Sequence, residues 1–138
     1  MENKQKKTEI RVYFSIYPED MDPEKLTELI GLKPSSIHLK GDSLVKDDPK
    51  SYRHKENLWE IKSHLDQYSN LQDHVINALE QLRPFKRKII EATRGMHKEL
   101  AVTIFFSEDR PPLHLDKNII KELAEYGAEV DFDVYFRE

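Results

Sequence analysis

The sequence predicts an α+β fold, a two-layer sandwich with helices on one face of a mostly antiparallel or mixed sheet. Three observations lead there. Residues 8–17 and 128–136 alternate between apolar and polar side chains, the period of a half-buried strand. Each helical segment carries a single apolar stripe, so it needs only one partner layer. The order of segments reads β-α-(β)-β-α-α-β-α-β, which a sheet sealed on one side satisfies. A ferredoxin-like core with an added helix and strand is the specific expectation.

The chain has 138 residues, enough for one domain. Residues 1–7 hold Lys4, Lys6 and Lys7 against Glu2 and read as a disordered tail. Residues 8–138 then form the domain. Its body is more acidic than the formal chain charge of −4, because the tail takes two net positive charges with it.

In the first strand Ile10, Val12, Phe14 and Ile16 share one face, and Arg11, Tyr13, Ser15 and Tyr17 share the other. Pro18 closes it. Asp22 then caps a helix with Pro23 at its first position, a Leu26, Leu29 and Ile30 stripe, and Gly31 at its end. Residues 36–40 suggest a short strand with Ile37 and Leu39 on one face. Residues 41–57 are a polar loop, including Asp47, Asp48 and Pro49, and loops this long are commonly functional. Residues 58–65 read as a strand with Trp59, Ile61 and Ser63 on one face.

A capping box of Ser69 and Gln72 opens the next helix, with Leu71, Val75, Ala78, Leu79 and Leu82 inward. Pro84 breaks it. Phe85, Ile89 and Ala92 continue as a shorter helix to Gly95. Residues 100–106 are apolar almost throughout and predict an interior strand. Asp116 caps a further helix, with Leu115 and Ile120 as a hydrophobic staple, Ile119, Ile120, Leu123 and Ala124 inward, and Gly127 as its stop. The last strand places Val130, Phe132, Val134 and Phe136 inward, with Glu129, Asp131, Asp133 and Tyr135 outward.

Four stretches in this order and spacing resemble a known family. They are Val12-Tyr-Phe-Ser-Ile16; Leu26-Thr-Glu-Leu-Ile-Gly-Leu-Lys-Pro34 with Gly41-Asp42; Leu58-Trp-Glu-Ile-Lys-Ser63; and Tyr126-Gly-Ala-Glu-Val-Asp-Phe-Asp-Val-Tyr135. Together they resemble the bacterial family catalogued as domain of unknown function 4279. The resemblance implies a small stand-alone domain with no assigned chemistry, and it transfers no catalytic residue.

The outward sheet face is the richest candidate site. Tyr13, Ser15, Tyr17, Glu60, Phe105, Asp131, Asp133 and Tyr135 are expected together there, a rigid amphipathic surface suited to contact. Such pairs also stabilise an open sheet without binding anything. From the loop, Arg53 could clamp a carboxylate or phosphate and Trp59 stands just after it. Asp131 and Asp133, about 7 Å apart along one side of a strand, could share a divalent cation with Glu60 or act as an acid–base pair. Paired acids on an exposed strand equally discourage edge aggregation.

Several classes are disfavoured. An acidic body would repel phosphates, so no nucleic-acid partner is expected; Arg83, Lys86, Arg87 and Lys88 read as a solvated helix face. No apolar run reaches the roughly 18 residues of a membrane span. Cysteine is absent, which excludes disulfides and thiolate sites and fits a cytoplasmic setting. The six histidines lack metal-ligand spacing, and no phosphate-cradling loop or nucleophile elbow occurs. No metal or other cofactor is expected.

Two readings stand. One is a non-enzymatic interaction module whose aromatic sheet face and 41–57 loop engage a protein partner or a second copy. The other is a small-molecule or divalent-metal-dependent enzyme centred on Asp131 and Asp133.

Overall fold

The computed structural model describes residues 6–44, 48 and 50–137. Five strands, β1 (Glu9–Tyr17), β2 (Ser36–His38), β3 (Leu58–Lys62), β4 (His97–Phe106) and β5 (Glu129–Phe136), form one sheet in the order β2-β3-β1-β4-β5. The first three pairings are antiparallel and β4 runs parallel to β5. Without β5 the order is that of a ferredoxin-like sheet. Among the described residues four helices accompany it: α1 (Pro23–Ile30), α2 (Leu71–Leu82), α3 (Lys86–Ala92) and α4 (Lys117–Glu125). The predicted element order and fold class are both present, including the helix and strand added to the ferredoxin-like core.

Local chemistry explains the boundaries. Asp22 accepts from the Glu24 amide at 2.9 Å ahead of Pro23, and Gly31 ends α1 at φ 83°, a left-handed conformation that costs glycine little. At α2 the cap is Asn70, whose side-chain oxygen accepts from Asp73 N at 2.9 Å. The expected Ser69–Gln72 box does not form; Gln72 Oε1 accepts from Asp116 N instead, tying α2 to the start of α4. Pro84 does not separate the helices fully, because a 3-10 turn (Arg83–Phe85) carries the chain from α2 into α3. Asp116 caps α4 by accepting from Ile119 N at 3.0 Å.

The core lies between the helices and one side of β1, β3 and β4. Ile10, Val12, Phe14, Ile16, Trp59, Ile61, Leu100, Val102 and Ile104 meet Leu26, Ile30, Val75, Leu79, Leu82, Ile89, Ile119 and Leu123. Burying side chains of this size contributes about 1.5–3 kcal/mol each. Tyr126, just past α4, packs edge-on against Phe14 with ring centroids 5.5 Å apart and fixes α4 over the sheet.

Several expected inward positions are exposed. Leu29 and Leu39 lie on the rim, and Ile120 and Ala124 turn outward while Ile119, Leu123 and Tyr126 form the buried line of α4. The larger correction concerns β5. Val130, Phe132, Val134 and Phe136 do point to the helix side, in register with Leu100, Val102, Ile104 and Phe106, yet they are exposed by 38, 46, 42 and 83%. The helical layer ends at β4, so parity is right and coverage is absent.

At the chain's start, the first five residues of the expected tail lie outside the described residues. Lys6 N donates to Glu108 Oε2 at 3.3 Å and Thr8 bonds Asp109, so anchoring begins ahead of β1.

Candidate functional site

Register places each expected outward residue. Tyr13, Ser15 and Tyr17 from β1, Glu60 from β3, Phe105 from β4, and Asp131, Asp133 and Tyr135 from β5 all lie on the side of the sheet away from the helices. Trp59 points the other way. It is fully buried, its Nε1–H donating to Thr27 Oγ1 at 3.0 Å, and it belongs to the core rather than to any surface site. Ser15, though on the open side, is buried between its neighbours and donates to Glu60 Oε2 at 3.4 Å.

One row crosses the whole sheet: Ser36, Glu60, Ser15, Glu99 and Glu129 stand side by side on successive strands. Ser36 donates to Glu60 Oε1 at 2.8 Å. Tyr17 donates to Glu99 Oε1 at 2.7 Å, and His97 Nε2 lies 3.3 Å from Glu99 Oε2. Burial, then the Glu99 carboxylate, push the Tyr17 phenol well above its ordinary value, which keeps it a donor. Ser36 and Ser15 on Glu60, and Tyr17 and His97 on Glu99, therefore hold two half-buried carboxylates in fixed positions on the open side of the sheet.

A second patch lies toward the other end of the strands. Phe105 and Tyr135 stack with centroids 5.2 Å apart. The guanidinium groups of Arg137 and Arg11 sit 4.6 and 5.4 Å from the Phe105 centroid, where the ring's quadrupole attracts them. Both also contact Glu9, Arg137 Nη1 donating to Oε1 at 2.8 Å. Asp131 and Asp133 flank this patch on β5, opposite Ala101 and Thr103. Glu60 stands on β3 with β1 and β4 between, too far to supply a third oxygen to a cation held by the aspartates. Among the described residues no group of three or more His, Asp or Glu is placed to hold a metal ion.

The described residues of the 41–57 loop fold back on one another. Gly41 N donates to His54 O, His54 N to Asp42 O, and Leu44 N to Tyr52 O, with Ser43 bridging Arg53. Residues 45–47 and 49, including the expected Asp47 and Pro49, lie outside the described residues. Arg53 turns inward on the loop, Nη1 donating to Gly41 O at 3.1 Å. His54 stacks on His38 of β2, centroids 4.2 Å apart; burial and the neighbouring His38 hold the His54 imidazole below its ordinary value. Loop and sheet meet at Tyr17. A depression of about 310 Å³ there is lined by Tyr17, Glu19, Asp20, Lys40, Lys55 and Glu56. A second, of about 390 Å³, shares Tyr17, Glu19 and Asp20 and continues to Arg94 and His97.

A larger depression lies on the helical side, along Arg83, Lys86, Arg87 and Arg94. Three of these cations are already paired: Arg83 with Glu122, Lys86 with Glu125 and Arg87 with Glu91. Acidic partners on α3 and α4 thus neutralise most of that basic cluster.

Sequence reasoning placed Glu129 outward without naming it as a site residue, and missed Glu99, His97 and Arg137. The signal existed: His97 and Glu99 continue the β4 alternation backward with Lys98 between them. Lys98 points inward, its Nζ donating to Thr93 O and Oγ1 at 2.9 and 3.0 Å. Its charge disguised an inward position and hid three residues of strand.

Among the described residues no helix is long and apolar enough to cross a membrane. No curated protein and no solved structure matches the chain. A family model does, described as Domain of unknown function (DUF4279); it matches residues 8–137, from just before β1 to just past β5, and the chain belongs to that family.

Proposed function

We propose that the chain is a non-enzymatic interaction module whose open sheet face, with the 41–57 loop at its Tyr17 end, engages a protein partner presenting a basic surface. The observation that carries this is the charge of the open face. Glu9, Glu60, Glu99, Glu129, Asp131 and Asp133 stand there against Arg11, Lys62 and Arg137, around the Phe105–Tyr135 stack. Rigid aromatic rings supply contact area at little entropic cost, and the carboxylates supply steering and register. The carboxylates on β5 are exposed and those on the central strands are held by hydroxyl donors, so an approaching lysine or arginine meets ordered acceptors.

Titration of defined peptides tests the reading. A lysine- and arginine-rich peptide with interspersed aromatics is expected to bind, weakening at least tenfold as salt rises from about 50 to 500 mM, where the Debye length shrinks toward the contact distance. Replacing Asp131 and Asp133 together by lysine should weaken binding at low salt by tenfold or more. Lys121→Glu on α4 should leave it unchanged. Equal binding of acidic and basic peptides, or no effect of the paired replacement, would overturn the proposal.

A further inference from the structure

A separate feature is the free edge of β5. β5 is the outermost strand, eight residues long, without proline. Arg137 N donates to Phe106 O at 2.9 Å, so the odd-numbered residues of β5 direct their backbone groups toward β4. The alternation of a strand then turns the N–H and C=O of Val130, Phe132, Val134 and Phe136 to the free edge. The side chains of these same residues form a continuous apolar row on the helix side, where no helix covers them. Proteins usually blunt such an edge by shortening it, bulging it or pointing a charge inward. None of these devices is present on the helix side of β5.

We propose that β5 pairs antiparallel with β5 of a second copy of this chain, about a two-fold axis at Val134, joining two sheets into one. A two-fold interface must be self-complementary; the charges on β5 exclude registers centred before Val134, and the length of strand overlapped falls with each step beyond it. With Phe132 opposite Phe132 of the second copy, Asp131 would face Asp133 twice, an arrangement that like charges disfavour. With Asp133 on the axis, the two Asp133 carboxylates would face each other. With Val134 on the axis, Asp131 faces Arg137 and Asp133 faces Tyr135 on the open side, while Phe132 faces Phe136 on the helix side. No like charges are opposed in that register. The apolar row of each copy then continues into that of the other.

This inference stands on the strand edge and does not require the basic-partner reading. Sedimentation of the intact chain between about 1 µM and 1 mM is expected to show a shift from the one-chain to the two-chain mass. Val134→Pro removes an edge N–H that makes no bond to β4, so it should raise the dimer dissociation constant at least tenfold while the circular dichroism of the fold is kept. Because the chain contains no cysteine, single replacements give a second readout. Directly opposed residues in the hydrogen-bonded pair lie about 5.5 Å apart at Cα, within disulfide range. Val134→Cys should therefore cross-link on oxidation, and Phe132→Cys should do so much more slowly. A one-chain mass throughout the range, a dimer indifferent to Val134→Pro, or faster cross-linking through position 132 would each overturn the proposal. Basic-peptide binding retained by the Val134→Pro monomer would separate the two surfaces.

Discussion

Ile104 and Val134 are direct register partners on the helix side of the sheet, yet Ile104 is fully buried and Val134 is 42% exposed. One inter-strand step, about 4.8 Å, separates core from solvent. The helical layer therefore covers the ferredoxin-like strands and stops short of the strand added beside them. Two uncovered surfaces follow: the whole outward face, and the edge and helix side of β5.

Truncation at these paired positions should differ sharply. Ile104→Ala leaves a cavity in packed surroundings and is expected to cost about 2–5 kcal/mol. Val134→Ala, measured at a concentration where the chain is monomeric, should cost less than about 1 kcal/mol, since its side chain is half solvated already. Urea midpoints of the two variants check this, and equal losses would place a cover over β5.

The Trp59–Thr27 hydrogen bond predicts a structural role for the indole. Thr27→Val strands a buried N–H and should cost about 1–3 kcal/mol. Binding of the basic peptide should be unaffected once the variant is folded. A variant of full stability that fails to bind would return Trp59 to the functional surface.

His74 predicts a pH dependence. Its Nδ1 lies 2.7 Å from Ser63 Oγ in a buried setting, and burial holds the imidazole below its ordinary value. As pH falls below about 6.5 the unfolded chain takes up this proton first, so stability drops with falling pH in that window. Above it, His74 contributes no slope. His54 shifts in the same direction, so His74→Gln should reduce the difference between denaturation midpoints at pH 7.5 and 5.5 without abolishing it. An unchanged difference would mean His74 is not buried in its neutral form.

Tyr17 and Glu99 give a spectroscopic prediction. The phenol is held up by burial and then by the Glu99 carboxylate, so Glu99→Gln should bring Tyr17 ionisation to lower pH. Ultraviolet titration against a Tyr17→Phe control isolates this group among the six tyrosines. No movement of the curve would show that Tyr17 does not donate to Glu99 as described.

Much of this architecture was legible because parity is local. Alternation in β1 and β5 assigns each side chain to a face, and Asp22-Pro23 with Gly31 brackets α1 without tertiary information. Coverage is not local. Nothing within Val130-Asp-Phe-Asp-Val134 tells whether a helix lies above the strand; that depends on sheet order, and β5 is at the edge. The Asn70 cap was missed because Ser69 fits the capping-box pattern one residue earlier, and Gln72 is drawn away to Asp116. On the open face the tyrosines and aspartates were readable from alternation. Glu99 and His97 were not, because Lys98 between them is an inward lysine satisfied by Thr93, a long-range arrangement that hydropathy hides.

Amide chemical-shift mapping of the folded chain during titration with the basic aromatic peptide decides whether the open sheet face is the binding surface. Shifts are expected to concentrate at Tyr13, Tyr17, Glu60, Glu99, Phe105, Asp131, Asp133 and Tyr135, fading into the helical layer. Shifts confined to the α2–α3 ridge, or none at all at peptide concentrations up to about 1 mM, would contradict it.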